Sequence, residues 1–192
     1  MLTPKFGPPY KGAKKSDISQ VFGNIQPFDN KPHTGVDFSP YNGYGKFLCA
    51  PENCKIVKVV DSLELSDSLE PLQRGYGIVM KGVSSPYYHL YWHCLPVFPV
   101  CEGDFVEQGE IVAQMGNSGY VFRNGVFVPP EERTKTKAGT HLHWEVFEDL
   151  DKRKYIDPLT YLDWNLPVQD NPNNVISAIS NVISKLLKII KK

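Results

Sequence analysis

Gly139-Thr-His-Leu-His-Trp-Glu-Val146 reads as a β-strand with two unlike faces. In an extended chain alternate side chains share a side, so His141, His143 and Glu145 point one way. Leu142, Trp144 and Val146 point the other way, into a core. Two imidazoles and a carboxylate on one face suit a metal site, where an outer carboxylate such as Glu145 orients the ligating histidine. A lone His-x-His pair also occurs on solvated strands, so other segments must contribute.

The next segment outward is Lys31-Pro-His-Thr-Gly-Val-Asp-Phe-Ser39. His33 and Asp37 flank a Gly-containing turn that runs into apolar sequence, and a turn can bring such a pair onto one ion. Together with His143 they make a His, Asp, His set. A catalytic zinc site uses three protein ligands of this kind and leaves a fourth position open. A third segment, Tyr87-Tyr-His-Leu-Tyr-Trp-His-Cys94, puts His89, Tyr91 and His93 on one strand face and Tyr88, Leu90 and Trp92 on the other. Either histidine can serve as a proton-transfer or oxyanion-polarising group across a cleft.

Around these segments, short apolar runs alternate with Gly, Pro, Asn and Asp. Residues 55–60, 76–81, 87–93, 110–115 and 141–147 read as strands. The predicted fold is mostly β, an antiparallel double-sheet sandwich or open barrel over 18–164. Residues 1–17, rich in Pro, Gly and Lys, read as a loose N-terminal arm. Residues 165–174 (Asn-Leu-Pro-Val-Gln-Asp-Asn-Pro-Asn-Asn) read as a linker. From Val175 to Lys192 the apolar positions recur at steps of three and four, which is the pattern of an amphipathic helix. That tail holds Lys185, Lys188, Lys191 and Lys192 and no acid. It suits packing on the domain or on a copy of itself, an anionic membrane surface, or a virion assembly.

The 192 residues are enough for one domain and an appendage. Hydrophobic residues at 41% and aromatics at 12% exclude a disordered or collagen-like chain. Twenty-one basic and twenty-one acidic side chains balance, so the surplus of positive charge expected of a nucleic-acid binder is missing. No run approaches membrane-spanning length, and Met-Leu-Thr-Pro-Lys-Phe-Gly at the start does not resemble a secretory leader. Cys49 and Cys54, and Cys94 and Cys101, form two close pairs without zinc-knuckle spacing. They fit either reduced thiols or two short-loop disulfides.

Taken in order, His33-Thr-Gly-Val-Asp37, Tyr91-Trp-His93, Gly103-Asp-Phe-Val-Glu-Gln-Gly109 and His141-Leu-His143 resemble the lysostaphin-like, or LytM-type, zinc metalloendopeptidases. Val21-Phe22-Gly23, Cys49-Ala-Pro51 and Met115-Gly-Asn-Ser-Gly119 agree, and the resemblance covers residues 18–164. It implies an antiparallel β scaffold with a long open groove, and one catalytic zinc ion held by His33, Asp37 and His143. It implies catalytic roles for His141 and His93 and leaves His89 as a strand neighbour; the chemistry then suggests His141 as the base and His93 as the oxyanion partner. The substrate it implies is the stem or cross-bridge peptide of bacterial peptidoglycan, cut in the periplasm or cell wall.

Without a visible leader, delivery by lysis or in a virion follows, as for a phage lysin, or secretion with the leader removed. An inactive wall-binding module would have lost ligands, and none is lost here. A D-Ala–D-Ala carboxypeptidase spaces its His and Asp further apart, and a phosphocarrier or solute-binding domain has no use for Asp37. The sequence departs from the family pattern in two places: the long segment from Tyr120 to Ala138, expected to be a mobile loop that reshapes one groove wall, and the run from Tyr87 to Trp92, heavier in aromatics than the pattern demands.

Overall fold

The computed structural model describes residues 4–61 and 75–168, together with Ser180 and Ile183. Apart from Ser180 and Ile183, the helix expected over 175–192 lies outside the described residues, as does the linker expected over 165–174 from residue 169 on. Among the described residues twelve strands are seen: β1 (Ile18–Gln20), β2 (Gly35–Phe38), β3 (Phe47–Cys49), β4 (Cys54–Val60), β5 (Tyr76–Gly82), β6 (Tyr88–Cys94), β7 (Phe105–Val106), β8 (Ile111–Gln114), β9 (Phe122–Arg123), β10 (Val126–Phe127), β11 (Leu142–Phe147) and β12 (Tyr155–Ile156). A short helix, α1, spans Pro130–Thr136.

All strand pairing between these elements is antiparallel. The main sheet runs β1-β2-β11-β6-β5-β4-β7, with β12 beside β11. β3 and β8 form a separate ribbon. Leu48 on β3 and Val112 and Ala113 on β8 share a core with Phe38, Ile56, Ile78, Met80, Tyr91, Leu142 and Trp144 of the main sheet. That core is the space between the two layers. β5, β6 and β11 are the central strands and are buried on both faces, as expected for near-continuous apolar runs. Their far face carries a smaller cluster of Val79, Leu90, Trp92 and Phe147. No described helix is long and apolar enough to cross a membrane.

Two expectations are corrected. The N-terminal segment is not a loose arm: Phe6 and Tyr10 are buried, and Phe6 bonds through its backbone to Tyr161 and Asp163. Its ring lies edge-on to His89, with centroids 4.6 Å apart. A buried Phe contributes about 1.5–3 kcal/mol, enough to outweigh the loop-like composition around it. Nor is the 120–138 segment an unstructured loop, since it folds into the β9–β10 hairpin followed by α1. Pro130 in the first turn has no N–H to leave unpaired, and Glu131 and Glu132 face the positive end of the helix dipole. Lys137 closes the helix in a left-handed conformation at φ 60°.

Candidate metal centre

The register of the main sheet assembles the site. His143 on β11 lies directly opposite Asp37 on β2, and Glu145 lies opposite Gly35. Opposed residues of an antiparallel pair share a face, so Asp37 and His143 meet side by side. His33 comes from the turn that feeds β2. A Cβ at Gly35 would sit 2.3 Å from the Trp144 carbonyl oxygen, so only glycine lets this turn approach β11 so closely.

The facing atoms form a small triangle. His33 Nε2 and His143 Nδ1 are 2.9 Å apart, His143 Nδ1 and Asp37 Oδ1 2.8 Å, and His33 Nε2 and Asp37 Oδ1 3.1 Å. A tetrahedral ion with bonds of about 2.0–2.1 Å separates its ligands by roughly 3.3 Å. The triangle therefore closes on one small ion with adjustments of a few tenths of an ångström. Among the described residues these three are the group of His, Cys, Asp or Glu able to hold a metal.

Hydrogen bonds behind the triangle fix which nitrogen faces it. The His33 Nδ1–H donates to the Val21 carbonyl at 3.2 Å, leaving Nε2 as the free donor atom. His143 is turned the other way. Its Nδ1 faces the triangle while Nε2 is 3.2 Å from Glu145 Oε1. Glu145 is fully buried and also accepts from Thr34 Oγ1 and from Trp92 Nε1 at 3.2 Å. A carboxylate held this way fixes the tautomer of a ligating histidine and raises its basicity. Burial opposes a charge on His143, but hydrogen bonds to Asp37 and Glu145 and the charges of both outweigh it, pushing it up to about 9. Burial would also raise Asp37, yet the charge of His141 and the bonds to His143 and His33 hold it well below the usual carboxylate range.

Two more imidazoles border the triangle. His141 Nε2 is 3.9 Å from Asp37 Oδ2, and its Nδ1–H donates to the Gly139 carbonyl at 2.9 Å. The His93 and His141 rings lie 4.5 Å apart, centroid to centroid, and His93 lies 6.1 Å from His143. The Nδ1–H of His93 donates to the Ser118 carbonyl at 2.7 Å. Burial first, then the neighbouring His141 and His143, hold His93 well below the ordinary imidazole range, so it is neutral. His33, His93 and His141 thus all spend Nδ1–H on a backbone carbonyl and keep Nε2 for the site.

The sequence-predicted set is brought together, with one geometrical correction. His93 does not share a face with His89 and Tyr91. Its backbone is left-handed at φ 63°, and the β5–β6 register slips here, from Ile78 opposite Tyr91 to Tyr76 opposite Cys94. That extra residue is a β-bulge. It moves His93 onto the His143 face at a strain of about 1–3 kcal/mol. His89 stays in the core, fully buried, with its Nε2–H donating to Glu52 Oε1 at 2.7 Å. The four cysteines are free thiols, three of them buried and Cys101 exposed.

A groove of about 1250 Å³ runs past the triangle. Its floor holds His33, Asp37, His93, His141 and His143, and its walls include Tyr41, Tyr44, Phe28 and Arg123. Phe28 stacks on Phe122 of the β9–β10 hairpin, with centroids 4.0 Å apart and planes within 5°, so the 120–138 segment builds one wall. Sequence reasoning missed Thr34, Trp92 and the three backbone carbonyls. Thr34 had a local signal, a hydroxyl between His33 and Gly35, whereas the carbonyl contacts have none.

Comparison with protein families places residues 31–158 in a single match, to the model of peptidase family M23. The chain belongs to peptidase family M23. Solved structures agree on the fold. LytU is 24% identical over 77% of this M23 chain and 85% of its own, with a TM-score of 0.56. The catalytic domain of the antimicrobial peptidase lysostaphin from Staphylococcus simulans is 21% identical over 75% and 90%, at 0.55. A zinc-containing peptidase from Vibrio cholerae is 22% identical, also at 0.55; the match covers 85% of the M23 chain but only 41% of the Vibrio chain. A search of curated protein sequences finds no match.

Proposed function

We propose that this M23 chain is a zinc-dependent endopeptidase that hydrolyses stem or cross-bridge peptides of bacterial peptidoglycan. The observation that carries the reading is the triangle of His33 Nε2, Asp37 Oδ1 and His143 Nδ1 in an open groove, bordered by the rings of His93 and His141. Two imidazole nitrogens and one carboxylate oxygen are an ordinary zinc donor set. When bound, zinc supplies a Lewis acid that polarises a carbonyl and acidifies water. Family membership and the zinc-containing structural neighbour support the same choice of metal.

The chain's own groups then divide the proton work. His141, with Nδ1–H committed to Gly139 and Nε2 beside Asp37, is placed to accept a proton from attacking water and to return it to the leaving amine. His93 presents Nε2 beside His141; sharing onto that nitrogen the proton that His141 takes from water would make it a donor toward the oxyanion, and return of the same proton through His141 would serve the leaving amine. Asp37 and Glu145 hold the imidazoles in orientation. The groove is open enough for an extended peptide to lie across this row. The Lys-rich tail from Val175 onward suits a phage lysin or virion-associated enzyme that meets an anionic envelope. Removal of residues 175–192 should then reduce lysis of whole cells while leaving the cutting of purified wall intact.

Mass spectrometry of fragments released from purified peptidoglycan tests the activity, run with chelator and with zinc added back. New peptide termini, abolished by chelator and restored by zinc, are expected and would name the bond. Release of nothing from several wall chemistries, by protein carrying one zinc ion, would favour a wall-binding module instead.

A further inference from the structure

We infer that Arg133, within the 120–138 segment, is a positioning residue that holds His93 in its working orientation through the backbone of Ser118. The inference rests on His93 being catalytic, as proposed above. Three successive carbonyls carry it. The Ser118 carbonyl accepts from His93 Nδ1–H, while Arg133 Nη1 donates to the carbonyls on either side, of Asn117 at 2.9 Å and of Gly119. Asn117 returns the bond: its Nδ2 donates to the carbonyls of Arg133 at 3.2 Å and Ala138 at 3.0 Å. The guanidinium therefore pins the peptide planes before and after the one that His93 uses.

A carbonyl between two pinned planes cannot turn without breaking charge-assisted bonds. The loop has good reason to turn otherwise. Gly119 sits at φ 73°, where glycine moves with little steric resistance. The side chain of Ser118 is anchored separately, donating to the Cys94 carbonyl at 2.8 Å and accepting from the Tyr76 N–H at 2.9 Å. Those anchors fix where Ser118 is, and Arg133 fixes where its carbonyl points. His93 needs that direction because its tautomer and ring orientation depend on the acceptor. The segment that lines the groove with Phe122 and Arg123 thus also braces the histidine row, so substrate wall and catalytic geometry are built by one piece of chain.

Arg133→Met and Arg133→Lys in the zinc-loaded full-length chain test this, with steady-state kinetics on a soluble cross-linked peptide. Imidazole proton–nitrogen correlation spectra report the His93 tautomer, and His93→Ala serves as the reference. Arg133→Met is expected to lower kcat by up to about 10²-fold, as a 1 Å displacement of a catalytic group can, with KM changed far less. The His93 signal should lose its single Nδ1–H form. Arg133→Lys, which offers a point charge without the fork, should fall between, and it carries the test if the Met variant does not fold. A wild-type His93 signal in the variants overturns the inference, even where melting temperature or KM shifts. If His93→Ala leaves turnover unchanged, the catalytic reading of His93 fails, while the Arg133 spectra still decide whether the brace exists.

Discussion

Glu145 carries the most exacting prediction, because it touches no metal yet should control metal affinity. It is fully buried and accepts from His143 Nε2, Trp92 Nε1 and Thr34 Oγ1. Glu145→Gln keeps the shape and one acceptor oxygen but removes the charge that makes His143 a stronger base. Loss of such an outer carboxylate costs 10- to 100-fold in metal affinity, or about 1.4–2.8 kcal/mol at roughly 1.4 kcal/mol per tenfold. Glu145→Ala should lose the same affinity and also leave the buried Trp92 N–H without this acceptor, a further cost of about 1–3 kcal/mol to folding. The two variants therefore separate the effects. Competition against a chromogenic zinc chelator reads the affinity, and urea unfolding of the metal-free chain reads the stability. A zinc affinity unchanged in both variants would refute the reasoning, since His143 would then not depend on Glu145.

Three further outcomes follow from other parts of the molecule. His93→Ala and His141→Ala should each retain zinc and lose about 10²- to 10⁴-fold in turnover, whereas Asp37→Ala should lose the metal itself; zinc analysis beside kinetics distinguishes them. Gly35→Ala would put a Cβ 2.3 Å from the Trp144 carbonyl oxygen, and thermal melts should show destabilisation of about 1–3 kcal/mol with weaker zinc binding, as the turn holding His33 is pushed off β11. Burial lowers the His89 pKa, with the Glu52 bond only partly offsetting it, so the unfolded chain binds more protons there once pH drops to about 6.5 and below. Acidification through that range should therefore destabilise the wild type, and His89→Gln should show a shallower dependence in urea titrations at a series of pH values.

How much of this was legible in the sequence depends on how local each signal is. The alternation of His141, His143 and Glu145 with Leu142, Trp144 and Val146 reports a strand with a polar face, and the structure keeps it. The four long strands, β4, β5, β6 and β11, were readable because apolar runs of that length have few other uses; the four-residue β8 was read as well, whereas β2, equally short, was not. β3, β7, β9, β10 and β12 are only two or three residues long, too short to show a period. The bulge at His93 was invisible because nothing in Trp92-His93-Cys94 announces a left-handed residue; it becomes apparent only when β5 pairs with β6. Phe6 was misjudged for a related reason. Its neighbours are Pro, Gly and Lys, but its partners Tyr161 and Asp163 lie more than 150 residues away. The helix after Val128 did leave a trace, in Pro-Pro-Glu-Glu at its start, which is a helix-opening signature.

In the proposed centre one zinc ion is held by His33 Nε2, Asp37 Oδ1 and His143 Nδ1. The same chain offers four free cysteines, which would bind zinc through longer bonds. X-ray absorption at the zinc edge, on the full chain carrying one equivalent, separates the two directly. A shell of nitrogen and oxygen alone at about 2.0–2.1 Å, lost in Asp37→Ala, is the predicted result. A sulfur shell at about 2.3 Å, or a nitrogen and oxygen shell unchanged by that substitution, would contradict it.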